Sequence, residues 1–559
     1  MTSATAPTGG ATSTAPATDE TSNAPTGGEI AVESLAANGV DTLFALPGVQ
    51  LDHLMNALHG ATDRIRVIHP RHEQGAAYMA LGYAMASGRV GAYAVVPGPG
   101  FLNTTAALST AYAVHAPVLA VIGQIVSKAI GLGGGELHEL PDQSAILDGL
   151  TRSHGIAKEA GDVAGVMQEA FAALASGRAP AGVELPADVL RKPAGGASVE
   201  AAARSAPAPD AVAMDQAAAL LAGAKRPLIW IGSGALACGE GLAAIAERIG
   251  APVVSHLTGV GVLPTDHPWA VGTWEGRELW READVILAVG TRLHDPRRRW
   301  GLEEGQAVIR VDLDPAQFSR GAPPTVALEA DAAEVVPALA QALAQAEIAA
   351  DVEARAARAA ELKARKAALF EERLAPQMAY LRAIRAALPM ESAVVCDYTQ
   401  IGYAATAALP MDRPRRLITP GYQGTLGFAY ATALGVKTAL PEAPVVALCG
   451  DGGFLFTANE MATAVQHGIA AVAVVFSDRA YGNVRRMQDQ IHGGKLIATE
   501  LRNPDFVAYA QSFGAEARRA ETPEALAEAL AWAISRPGPT LIEAPMPVLP
   551  DPWELLEPR

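Results

Sequence analysis

Cysteine is scarce in this 559-residue chain: Cys238, Cys396 and Cys449 lie far apart, each at or beside an apolar run. That excludes a disulfide framework and a zinc-ligand spacing, and it predicts a cytoplasmic protein. Basic residues are missing from the start, with no Lys or Arg before Arg64. A secretory signal needs a basic start and an apolar stretch, so none is predicted. Positive charge is short overall, 43 Lys and Arg against 59 Asp and Glu, for a formal net charge of -16. Nucleic acid and anionic membrane surfaces call for the opposite balance and are not expected as partners. Long hydrophobic runs are absent too. The most apolar stretch, APVLAVIGQIV at 116–126, is too short to cross a bilayer.

What is present is material for several cores. Half the residues are hydrophobic and 18% are charged, the composition of a globular protein of about three or four domains. Residues 1–27, rich in Thr, Ala, Ser, Pro and Gly, predict a disordered tail. From Gly28 short β-rich runs (DTLFALPG, IRVIHP, GAYAVVPGPG, PVLAVIGQ) alternate with helical stretches as far as AGVELPADV. Such alternation predicts a parallel sheet wrapped by helices over 28–191. Residues 192–210 have a linker's composition. A second α/β unit follows at 211–345, with strands PLIWIG, APVVSH, DVILAVG and AVIRVDLD, then a charged, alanine-rich helical connection at 346–375. The third unit spans 376–546, and 547–559 reads as a C-terminal tail. The fold class is α/β, with three doubly wound parallel-sheet domains, and ligands are expected past the carboxyl ends of their strands.

In the third unit the apolar run Val445 to Leu448 leads into CGDGGFLF, which sets Asp451 among Gly450, Gly452 and Gly453. TANEMATAVQHG follows, where Thr457 and Glu460 match a capping box and Gly468 a helix stop. Then come AAVAVVF and SDRAYGN, so that Asp478, 27 residues after Asp451, leaves the next strand. Neighbouring parallel strands are about 5 Å apart and their crossovers right-handed, so both acids can face one cavity and share one divalent cation. Magnesium takes one or two carboxylates and completes its shell with backbone oxygen, water and phosphate. The glycines allow close backbone approach to an anion. A solvated Asp in a tight turn is the bland reading of GDGG by itself.

The stretch from Gly450 to Asn483 resembles the thiamine diphosphate motif, which opens with GDG and closes with paired asparagines. The resemblance implies Mg2+ held by the side chains of Asp451 and Asp478 and the main-chain oxygen of Ala480. It departs from the pattern at Ser477 and Asp478, where two asparagines are usual. The extra charge predicts cofactor binding that depends strongly on magnesium. HPRHEQGAAYMALGYAMASG (69–88) resembles the RHEQGA segment of acetolactate synthase. Glu73 would there be the acid that engages the cofactor's aminopyrimidine, with Ala76, Ala77, Ala80, Leu81 and Ala84 as the helix's apolar face. Without the metal motif, Glu73 reads as an acid favouring a helix N-terminus.

The likeness to the acetolactate synthase and 2-oxo acid decarboxylase group continues through FALPGVQLDHL, VVPGPGFLNTTAAL, PVLAVIGQ, GVELPADV and PGYQGTLGFAYATALG. It implies pyrimidine-binding, central Rossmann-like and diphosphate-binding domains in that order. By position, Gly424 and Leu426 would contact the aminopyrimidine, Gln400 the diphosphate, and Gln124 the bound 2-oxo acid. Leu426 also reads as core, and Gln124 as a strand cap. Met487 replaces the tryptophan of the acceptor pocket, and RSHGIAK (152–158) replaces another family segment. GGGELHELPDQSA places His138, Glu139 and Asp142 on the substrate side. The central LIWIGSGALACGEG resembles the crevice in which acetolactate synthases hold FAD, with Arg292 as a contact, although the flavin-side region is shortened here. The implied activity is a carboligase or lyase that decarboxylates a 2-oxo acid and transfers the enamine to a carbonyl acceptor, in a homodimer or homotetramer. The alternatives are a simple 2-oxo acid decarboxylase, a diketone hydrolase and a non-catalytic cofactor-binding protein.

Overall fold

The computed structural model describes residues 24–195, 198–204, 206–320 and 323–556. The predicted disorder of the N-terminal tail falls largely on residues 1–23, outside the described residues, as do the last three positions of the C-terminal tail.

The first sheet contains β1 (Thr42–Ala45), β2 (Arg66–Ile68), β3 (Gly91–Val95), β4 (Val118–Gln124), β5 (Ser153–Ile156) and β6 (Ala181–Pro186), side by side as β2-β1-β3-β4-β6-β5. The second contains β7 (Pro227–Ile231), β8 (Val253–Ser255), β9 (Ala270–Val271), β10 (Val285–Val289), β11 (Ala307–Asp312) and β12 (Val326–Glu329), ordered β12-β11-β10-β7-β8-β9. The third contains β13 (Ala393–Cys396), β14 (Leu417–Ile418), β15 (Val445–Gly450), β16 (Val472–Ser477), β17 (Glu516–Arg519) and β18 (Thr540–Pro545), ordered β14-β13-β15-β16-β18-β17. All pairings within these sheets are parallel. Parallel sheets are covered on both faces, which is why their central strands read as unbroken apolar runs. The first and third sheets share one topology without a visible sequence repeat.

Each sheet has a switch point near its middle, between β1 and β3, between β7 and β10, and between β13 and β15, and the first and third sheets turn back again at their far edge, where β6 and β18 insert inside β5 and β17. Crossovers leave such a point in opposite directions and open a crevice beyond the strand ends. In the third sheet its walls are the segments after β13 and β15, which begin with Asp397 and Asp451.

The first and third domains share one hydrophobic core, built where helix Glu73–Ser87 crosses helix Phe428–Ala439. Gly75 through Ala84 are buried without a break, as are Phe428 through Val436. Helices apolar on all sides belong inside. The crossing is backbone against backbone: a Cβ on Gly82 would lie 2.1 Å from the Thr432 carbonyl oxygen, and one on Gly435 would lie 1.8 Å from that of Met79. Residues 549–556 are tied across the third domain. Leu549 N donates to Gln400 Oε1 at 2.7 Å, and Trp553 Nε1 to Asn483 Oδ1 at 2.7 Å.

Candidate active site

Asp451 begins a single helical turn, Asp451–Phe454, at the exit of β15 and is 2% exposed. Its Oδ2 accepts three donors, Arg479 N at 2.8 Å, Ser477 Oγ at 3.2 Å and Asn503 Nδ2 at 2.7 Å. Oδ1 accepts the amide of Gly452 at 2.8 Å. The carboxylate is therefore clamped by one oxygen and keeps lone-pair capacity on the other. Neither Ser477 nor Asn503 was a predicted site residue.

Because Gly450 pairs with Phe476, Asp478 leaves β16 almost level with Asp451. Asp478 Oδ2 accepts Gln400 Nε2 at 2.8 Å, and Oδ1 accepts Ala480 N at 3.2 Å. Burial and then the charge of Asp451 push its carboxyl above the usual range. Two acids at adjacent strand exits, Asp478 raised by burial and by the charge of Asp451, make a donor set that a divalent cation relieves. Among the described residues no group of three or more His, Cys, Asp or Glu is placed to hold a metal. A cation here would rest on two carboxylates and non-carboxylate oxygen, which suits magnesium.

The glycines answer to protein neighbours. A Cβ on Gly452 would lie 2.6 Å from the Tyr481 ring, and one on Gly453 3.0 Å from Asp397 Oδ2. Gly424 has φ +60°, and a Cβ there would lie 3.2 Å from the Tyr398 ring. Leu426 is 43% exposed rather than core. Beside it, a Cβ on Gly427 would lie 2.4 Å from Phe456 Cβ, so the Gly424–Gly427 segment lies against the turn that carries Asp451. The expected capping box does not form. Thr457 Oγ1 donates to Gly427 O at 3.1 Å, and Glu460 turns away to the first domain, an override of local spacing by a buried partner. Gly468 does stop the helix, with φ +62°.

Glu73 is the first residue of its helix, and Asn103 Nδ2 donates to its Oε2 at 3.0 Å. Asn103 stands on helix Pro99–Val114, which follows β3 at the first sheet's switch point.

Comparison with known proteins matches three family models in chain order: the thiamine pyrophosphate enzyme N-terminal TPP binding domain over 25–146, the central domain over 214–339, and the C-terminal TPP binding domain over 397–544. The chain belongs to the thiamine pyrophosphate enzyme family. Its similarity to a probable 2-ketoarginine decarboxylase of Pseudomonas aeruginosa is 37% identity over 531 residues, 93% of each chain. It is 30% identical to the acetolactate synthase isozyme 3 large subunit of Escherichia coli, over 91% of this chain and 92% of the other. It is also 30% identical to a sulfoacetaldehyde acetyltransferase of Castellaniella defragrans, over 90% of each chain.

Within this thiamine pyrophosphate enzyme, Gln124 is the last residue of strand β4. It is 4% exposed; its Nε2 donates to Glu184 Oε2 at 2.7 Å, and its Oε1 accepts Ile125 N at 2.8 Å. Glu184 is fully buried and also accepts Gln143 Nε2 at 2.8 Å, Ser144 Oγ at 2.5 Å and a bond to His154 Nε2 at 2.8 Å. Burial pushes Glu184 up, but these partners outweigh it and hold the carboxyl below its usual range. Gln124 thus serves a buried network, because a buried carboxylate must recruit every donor in reach. In the loop expected on the substrate side, Glu139 accepts Gly133, Gly135 and Glu136 amides at 3.1, 2.7 and 3.0 Å, and Asp142 caps helix Gln143–Leu150 through Ala145 N. His138 has φ +68°, and its Nδ1 is buried with no hydrogen-bond partner among the described residues. Met487 is 50% exposed.

The switch point of the second sheet opens into a cavity of about 870 Å³ lined by Gly232, Gly234, Thr291, Arg292 and Asp312. Arg292, the predicted flavin contact, spends its Nη1 on Ala113 O at 2.7 Å, tying this domain to the first.

Proposed function

We propose that the protein is a thiamine diphosphate- and magnesium-dependent enzyme that decarboxylates a 2-oxo acid. The observation that carries the reading is the pair of acids at adjacent strand exits, one clamped by Asn503, Ser477 and Arg479 and the other raised by burial and then by its neighbour's charge. Asp451, Asp478 and the main-chain oxygen of Ala480 would hold the cation, with Gln400, Gly450, Gly452 and Gly453 around the diphosphate. When bound, thiamine diphosphate supplies the electron sink for loss of carbon dioxide. Glu73 supplies and withdraws a proton at the aminopyrimidine, held in place by Asn103. Gly424 and Leu426 would contact the same ring. The polar contacts of Asp451 and Asp478 come from the third domain, and that of Glu73 from the first. A homodimer or homotetramer in which one copy's Glu73 completes another copy's metal site is part of the proposal. The reaction has no redox step and assigns no part to FAD.

Identity of 37% to a probable 2-ketoarginine decarboxylase, against 30% to acetolactate synthase, favours release of an aldehyde after decarboxylation. His138, with a free buried nitrogen on the substrate-side loop, is the group to protonate the remaining fragment. Transfer to a carbonyl acceptor is the second reading, favoured by the exposure of Leu426 and Met487, which leaves apolar surface for an acceptor. The test is a screen of 2-oxo acids, 2-ketoarginine and pyruvate among them, with carbon dioxide, aldehyde and coupled product followed separately. Magnesium-dependent carbon dioxide release supports the proposal, and cofactor-loaded protein inert toward every acid would overturn it.

A further inference from the structure

Glu460 lies nine residues after Asp451 and is fully buried. Its carboxylate leaves the third domain for the first. Oε1 accepts His72 N at 3.0 Å and Arg71 N at 3.2 Å; Oε2 accepts Arg71 N at 3.0 Å and Thr463 Oγ1 at 2.6 Å. His72 is the N-cap of the helix that starts at Glu73.

We propose that Glu460 is the positioning residue for Glu73. The inference rests on the reading of Glu73 as the cofactor's proton partner. Backbone N–H groups at a helix start have no partner within the helix. Here a carboxylate from another domain supplies one for each of the two residues before Glu73, and bonds to an ionised acceptor are roughly twice as strong as neutral ones. The approach is close: a Cβ on Gly75 would lie 2.3 Å from Glu460 Oε1, so a side chain there would push the carboxylate off its amide partners. The helix behind Glu460, Met461–His467, grips the same segment again. Arg71 Nη2 donates to Gln466 Oε1 at 2.6 Å, His69 N to His467 Nε2 at 3.4 Å, and Arg66 Nη2 to His467 O at 3.3 Å. The loop that aims Glu73 is therefore held from the third domain, with Glu460 as the contact nearest the acid.

The experiment compares Glu460→Ala and Glu460→Gln with the wild type in three measurements. These are backbone amide exchange at Arg71 and His72 without cofactor, calorimetric affinity for thiamine diphosphate with magnesium, and kcat, KM and cofactor C2-hydrogen exchange per bound cofactor. Displacing a catalytic group by about 1 Å is worth about 10²-fold in rate. Glu460→Ala is expected to speed exchange at both amides and to lower kcat and C2 exchange by about 10²-fold, with KM and cofactor affinity within about threefold of wild type. Glu460→Gln, which keeps one acceptor oxygen, is expected to fall between. Unchanged amide exchange, or kcat per bound cofactor unchanged in both variants, would overturn the proposal, as would a loss confined to cofactor affinity or melting temperature. Failure of the wild type to take up thiamine diphosphate would instead overturn the functional reading beneath it, and the amide measurement would still decide whether Glu460 holds the helix start.

Discussion

Asn503 Nδ2 donates to Asp451 Oδ2 at 2.7 Å, although 52 residues separate them, and it also reaches Ser477 Oγ at 3.3 Å. The amide thus fixes the rotamer of the acid that leads the proposed metal site. Outer partners of metal ligands are worth about 10- to 100-fold in affinity. Asn503→Ala is expected to weaken magnesium-dependent cofactor uptake by that order, read by titration calorimetry at several magnesium concentrations. An unchanged magnesium dependence would remove Asn503 from the site.

Asp478 carries the extra charge of the proposed metal site, and burial beside Asp451 raises its carboxyl. Asp478→Asn removes that charge and one of the two acceptor oxygens that meet Gln400 and Ala480. The expected outcome is weaker magnesium binding with a shallower magnesium dependence of thiamine diphosphate affinity. A steeper dependence in the variant would show that the charge is not used for the metal.

Glu73→Gln is expected to keep the fold, since the Asn103 bond needs only one oxygen. Turnover should fall by roughly 10²- to 10⁴-fold, the worth of a positioned proton partner. Steady-state rates with melting curves as a control make the check, and near-normal activity would defeat the assignment.

Asp397 lies at the exit of β13, 3% exposed, with Oδ1 accepting Ala429 N at 2.8 Å and Oδ2 without a partner among the described residues. Burial pushes its carboxyl up from 3.8 to about 7. A folded pKa above the unfolded one means stability that is full below about pH 4 and lost as pH rises through 7. Asp397→Asn keeps an acceptor for Ala429 and removes the titration. Melting temperatures between pH 4 and 8 should fall less steeply in the variant, by the equivalent of a few kcal/mol, on the order of 1.4 per pKa unit. Parallel curves would contradict it.

Much of the fold was legible because strands buried on both faces read as apolar runs, and acids at their ends mark where a parallel sheet binds. Asp451 and Asp478 stood at such ends, and Glu73 begins the helix that follows β2. Asn503 escaped because nothing in LRNPDF points back to Asp451; only tertiary folding brings the loop there. Glu460 was misread because Thr-x-x-Glu is also a local cap signal, and the interdomain backbone amides outcompeted it. The bond from Gln124 to Glu184, on the adjacent strand β6, could not be read from the sequence, because 60 residues separate the two and only the sheet pairing brings them together. The common topology of the first and third sheets was hidden because strand order is set by which helix faces pack, and residues can diverge freely while the apolar pattern is kept.

The most direct measurement is isothermal titration of the purified chain with thiamine diphosphate, with and without magnesium, repeated on Asp451→Asn. The expected result is one site per chain, occupied in magnesium, much weaker without it, and lost in the variant. Equal affinity with and without the metal, or full binding by Asp451→Asn, would contradict a cation held between Asp451 and Asp478.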